Sequence, residues 1–77
     1  MTRGVFNWTA EDVVRFLKNN DFTLQHTKGS HYFYVGSKYG RVRIVCVPFH
    51  GSRIIKPRTL KSIIVQSGIP KDEWLEN

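Results

Sequence analysis

The sequence predicts an α+β fold in the order helix, strand, strand, strand, helix, with a three-stranded antiparallel sheet packed on two helices. Three observations predict it. A stretch of helical periodicity opens on a capping sequence at Thr9, three segments rich in strand formers follow one another across glycine-containing turns, and a second helical stretch begins at Pro57 and ends at Gly68. Seventy-seven residues, 40% of them hydrophobic, can bury one small core, so a single domain spanning residues 1–77 is expected.

Thr9-Ala10-Glu11-Asp12 starts the first helix, because the Thr9 hydroxyl can accept from the amide three residues on and two carboxylates then sit in the positive first turn. Trp8 and Val13 occupy the positions of a hydrophobic staple. Val13, Phe16 and Leu17 keep helical spacing and Asn19-Asn20-Asp21 supplies the stop, which gives a helix from Ala10 to Asn19. Phe22 to Thr27 alternates apolar and polar residues and reads as the first strand, turning at Lys28-Gly29-Ser30. His31 to Val35 returns antiparallel, the turn Gly36–Gly40 follows, and Arg41 to Val47 is a β-branched third strand ended by Pro48. Strand parity leaves the facing of the second strand open: His31, Phe33 and Val35 compete with Tyr32 and Tyr34 as the buried set. Pro57 suits the first turn of the second helix, Leu60, Ile63, Ile64 and Ser67 line its inner face, and Gly68 caps it. A short acidic turn after Pro70 brings Trp74 and Leu75 over the end of the core. Such an order packs economically when one sheet face covers both helices and the other stays free, the layout of double-stranded-RNA-binding domains.

Charge points the same way. The formal net charge is +6, and it is local: Lys28, Lys38, Arg41, Arg43, Arg53, Lys56, Arg58 and Lys61 fall in a stretch that contains no acid. A one-sign block of this kind grips polyanions, and nucleic acid fits better than a membrane surface, because no segment joins a basic helix face to a broad apolar one. No apolar run approaches the roughly 18 residues of a membrane span, and no charged start followed by an apolar core marks a secretory signal, so a cytoplasmic protein is expected. Cys46 is the only cysteine, which excludes an intrachain disulfide and suits a reducing compartment. Its mid-strand position reads as packing rather than nucleophilic chemistry. The three histidines lack ligand spacing and the basic block lacks carboxylates, so neither a metal site nor a cofactor is expected.

Three motifs stand in order: Lys28-Gly29-Ser30-His31, Val47-Pro48-Phe49-His50, and Lys56-Pro57-Arg58-Thr59-Leu60-Lys61-Ser62-Ile63-Ile64. On these the chain, over about Val13 to Ile69, resembles the HicA or YcfA-like family of small toxins from type II toxin–antitoxin systems. The resemblance implies a ribosome-independent mRNA interferase with the double-stranded-RNA-binding fold, dependent on the histidine of Gly-Ser-His, and silenced by a HicB-type antitoxin protein. Two departures stand out: many relatives carry a second histidine where this chain has Tyr32, and glycine where it has Arg58.

Cleaving RNA without a metal needs a base for the 2′-hydroxyl proton, donors for the phosphorane oxygens and an acid for the leaving 5′-oxygen. His31 suits the first or the third task near neutral pH. Taken alone, a histidine at a strand start reads as an ordinary strand-end imidazole; the motif context reverses that weighting and makes His31 the catalytic candidate. Lys28, Gly29 and Ser30 are placed beside it; His50 is a weaker candidate, its loop either lying beside the hairpin or, the favoured reading, presenting an imidazole that merely touches solvent or phosphate, while His26 reads as an exposed strand residue. Arg41 and Arg43 share one side of the third strand and suit paired phosphates, or else guard an exposed edge. Lys56, Arg58, Thr59 and Lys61 crowd the start of the second helix, where cations oppose the dipole and an arriving phosphate would relieve them. The leading expectation is therefore an endoribonuclease toxin; a non-catalytic double-stranded-RNA-binding module and a docking domain for an acidic protein are the alternatives.

Overall fold

The computed structural model describes residues 7–75, which run α1 (Ala10–Asn19), β1 (Thr23–Lys28), β2 (His31–Gly36), β3 (Arg43–Pro48), α2 (Pro57–Ser67) and α3 (Lys71–Leu75). The expected extent of 1–77 includes residues 1–6 and 76–77, which lie outside the described residues. The strands form one antiparallel sheet in the order β1-β2-β3. This is the α+β arrangement the sequence predicts, and the acidic turn after Pro70 is the short helix α3.

α1 begins at a complete capping box. The Thr9 hydroxyl accepts from the Asp12 amide at 3.2 Å, and the Asp12 carboxylate accepts from the Thr9 amide at 3.0 Å. At the other end the Asn20 side chain donates to the Phe16 carbonyl at 2.8 Å, and Asp21 turns the chain with a φ of 67°. Trp8, before the cap, is buried edge-on against Phe16 and Trp74, with ring centroids 5.9 and 5.5 Å away, and Phe16 stacks on Trp74 at 4.0 Å. These rings, with Val13, Leu17, Leu60, Ile63 and Ile69, form the core between the helices and the sheet.

The structure resolves the facing of β2. Tyr34 lies opposite Val45 and Tyr32 opposite Val47, and Tyr34, Val45 and Val47 are buried under the helices, so His31, Phe33 and Val35 face away. Gly36 continues the inner set, and the ring of Phe22 fills the space its side chain would take. β1 departs from the alternation read in the sequence: the strand starts at Thr23, after the buried Phe22, and every one of its residues is exposed. A bulge between Leu24 and His26 sets Leu24 opposite Tyr34 but His26 opposite Phe33, so the two project from different faces. The helices pack mainly on β3, leaving β1 an outlying edge strand where burial enforces no single alternation.

α2 starts on Lys56, which makes no side-chain capping bond, with Pro57 at the first turn, and ends at Gly68 with a φ of 72°. Inside it, the buried Ser67 hydroxyl donates to the Ile64 carbonyl at 2.6 Å and accepts from the Ile69 amide at 3.1 Å, so burial leaves it satisfied. The loop leading into α2 is tied to the entrance of α1: the Ile55 amide donates to the Trp8 carbonyl at 2.7 Å, and Thr9 bridges Ile54.

Candidate nucleic-acid interface

The β1–β2 turn is a two-residue hairpin loop, Gly29-Ser30, closed by the pair Lys28 and His31. Gly29 takes a φ of 59°, the conformation that the first central position of a type II′ turn demands and that glycine adopts without strain. The turn is held from the far side as well: the Phe49 amide donates to the Ser30 carbonyl at 2.7 Å. His31 is therefore the first residue of a hydrogen-bonded strand, flanked by Lys28 and Pro48, with its side chain exposed on the uncovered face. A fixed backbone under a solvent-facing imidazole is what proton transfer to a bound polymer requires.

The chain beyond β3 brings the second and third motifs to the same end. Pro48, His50, Arg53, Ile54, Ile55, Lys56 and Thr59 line a hollow of about 300 Å³. Lys56 and Thr59 stand at the start of α2, whose first turn holds no acid and whose cap residue supplies no oxygen, so its free amides and positive dipole end face the hollow's basic rim. Lys28, Gly29, Ser30, His31, His50, Lys56 and Thr59 thus gather at one end of the sheet. Arg53 belongs with them; the charge block contained it, but its loop position gave no signal of facing the hollow. Arg58 is exposed on the same helix, and Lys61 lines a separate apolar groove with Ile64, Val65 and Ile69.

Arg41 and Arg43 are not brought to this end. Arg43 pairs with Gly36, five positions from the His31–Pro48 pair, about 17 Å away at ~3.4 Å per residue. Its guanidinium lies against Gly68 at the negative end of α2, beside Arg41, Tyr39 and Ser67. Lys38, another member of the basic block, is engaged by acid: its ammonium meets the Glu73 carboxylate of α3 at 2.8 Å, and Tyr39 also donates to Glu73. The bonds from Lys38 and Tyr39 hold the Glu73 carboxyl below its ordinary value, and the bond to Glu73 raises each of Lys38 and Tyr39 above its own. The basic block of the sequence is thereby divided into a free cluster around His31 and a more structural one at the opposite end.

The family model described as the HicA toxin of bacterial toxin-antitoxin matches residues 10–69. The chain belongs to the HicA toxin family. Comparison with curated proteins and with solved structures found no match. Membership makes this HicA protein one half of a toxin–antitoxin pair, with an antitoxin as its partner. The match begins at the first residue of α1 and ends at Ile69, so it takes in the hairpin, the hollow and all of α2.

Tyr32 and Arg58, the two departures read from the sequence, lie in different parts of the fold. Tyr32 points to the helix side and packs on Phe49, ring centroids 5.0 Å apart, away from the face that presents His31. Arg58 adds an exposed cation to the first turn of α2. Cys46 is half-buried, its thiol pushed up by desolvation, which favours the protonated form over the nucleophilic thiolate, and its amide donates to the Gln66 side chain at 3.0 Å, covering part of the β3 edge. Among the described residues no three His, Cys, Asp or Glu side chains lie together in a metal-holding group, and no helix is long and apolar enough to cross a membrane.

Proposed function

We propose that this HicA toxin is a metal-independent, ribosome-independent mRNA interferase acting in the cytoplasm. His31 serves as general base or acid in transfer of the phosphate to the neighbouring 2′-oxygen. The 2′-oxygen attacks phosphorus, the bond to the 5′-oxygen breaks, and the products are a 2′,3′-cyclic phosphate and a 5′-hydroxyl end. As base His31 takes the 2′-hydroxyl proton; as acid it gives one to the departing 5′-oxygen. The observation that carries this reading is the exposed imidazole on a doubly hydrogen-bonded hairpin end, next to a hollow rimmed by cations and the uncapped start of α2.

Lys28 and Ser30 stand to stabilise the developing phosphorane charge, while His50, Lys56, Arg58, Thr59 and Lys61 hold phosphates along the approach. Gly29 keeps the turn tight enough for the backbone to come near the RNA. Arg41 and Arg43 meet the same strand further along. A HicB-type antitoxin silences the enzyme, and covering the cationic end would achieve this through charge complementarity. The test is purified protein incubated with RNA in the presence of a metal chelator. We expect new 5′-hydroxyl ends, and no cut where a 2′-deoxy nucleotide replaces the attacking ribose. RNA that is shifted on a gel but never cut would leave only a binding module.

A further inference from the structure

The sheet face that the helices leave uncovered carries a pair of stacked rings. His26 and Phe33 lie with centroids 4.4 Å apart and planes inclined by 9°. His26 reaches that face only because of the bulge after Leu24; in a regular ladder it would share Leu24's face. One side of the Phe33 ring is thus covered by His26 from β1. Toward β3 its register partner is the small, half-buried Cys46, and Phe33 itself is only partly buried. Phe33 also stands two residues from His31 on the same face of the same strand, about 7 Å away, roughly one nucleotide's length.

We propose that Phe33, buttressed by His26, is a stacking platform for an unpaired nucleobase adjacent to the ribose that His31 addresses; the proposal rests on the RNA-cleavage reading above. Charge selects this occupant over a protein segment rich in bases, since among the described residues Lys28 is the one full charge on this face and no acid accompanies it. The consequence concerns substrate class. Duplex RNA offers a protein its grooves, 2′-hydroxyls and phosphates, and keeps the faces of its bases stacked on each other. A ring platform beside the catalytic imidazole can be used only by a nucleotide that has left the stack, so the cut falls in single-stranded RNA or in a loop.

The experiment uses the full chain carrying His31→Ala, so that RNA stays whole, and a short single-stranded RNA with 2-aminopurine as probe, free or annealed to its complement. Stacking quenches the probe. We expect quenching with the single strand, about tenfold weaker binding and loss of quenching on adding Phe33→Leu, near-parental behaviour for Phe33→Tyr, and no effect of either change on duplex binding. Unchanged binding and quenching in Phe33→Leu would overturn the platform, as would an equal loss for duplex. If Phe33→Leu fails to fold, the same comparison with His26→Ala decides in the same way. Cleavage of the unlabelled strand by the wild type is scored separately: a wild type that cuts while Phe33→Leu also cuts and binds normally refutes the platform alone.

Discussion

Gly36 has no side chain because Phe22 occupies the place where one would stand. A Cβ there would come within 2.6 Å of the Phe22 ring, which is itself buried. Gly36→Ala is expected to cost about 1–3 kcal/mol of stability through overpacking, read as a lowered denaturation midpoint at unchanged slope. Restoring room with Phe22→Leu in the same chain should recover part of the loss. The contact belongs to the inward set of β2, 32, 34 and 36, which is fixed by the packing of Tyr34, Val45 and Val47 under the helices. Nothing in the local sequence could have told it, because Tyr32 with Tyr34 and Phe33 with Val35 are both largely apolar pairs; the choice belongs to partners on β3 and the helices, more than ten positions away. The capping box at Thr9 was legible for the opposite reason, since both of its partners lie within four residues. His31 as a candidate was legible from its motif, whereas its exposure depended on that same β2 parity.

At the scale of elements, both long helices matched their expected bounds, because proline, glycine and caps mark helix ends locally. The strands shifted by one or two residues at their ends, and β1 lost the alternation read into it, since an edge strand beyond the reach of the helices has no buried face to enforce a pattern. The Arg41–Arg43 placement was equally hidden. Arg41 lies before β3, which starts at Arg43, so strand parity does not give the two a shared side, and the end of the sheet that Arg43 occupies follows from its pairing with Gly36. The turn between β2 and β3 is pinned to α3 through Glu73, which accepts from Lys38 and Tyr39. Glu73 is depressed below its ordinary 4.5, so its contribution is complete above about pH 4.5 and is lost as pH falls through the lower folded value. Lys38 and Tyr39 are raised above 10.5 and 10.0, so theirs is complete below about pH 10 and is lost as pH rises through the raised values. Amide exchange at Gly40, whose N–H donates to the Ser37 carbonyl inside this turn, corrected for intrinsic rates, should therefore stay slow between these limits and speed up at acid pH. In Glu73→Gln the protection should already be reduced at pH 7, with little further change on acidification.

For the molecule as a whole, the net charge of +6 is less uniform than the sequence suggests, because Lys38 is matched by Glu73 and Arg43 sits over the end of α2. The free cations gather at the His31 end and along the first turns of α2. If about five of them neutralise phosphates of single-stranded RNA, affinity should fall roughly a hundredfold between 50 and 200 mM salt, given a slope near −0.7 per phosphate. A flat salt response would mean that the cluster does not hold RNA. The whole arrangement converges on one imidazole, exposed and carried on a backbone fixed from both sides. The most direct measurement is single-turnover cleavage of one RNA by wild type and by His31→Ala at neutral pH, with the melting temperature recorded beside it. The account predicts a rate lower by about 10²–10⁴-fold with RNA affinity and melting temperature nearly unchanged. A folded His31→Ala protein that cuts as fast as wild type would contradict it.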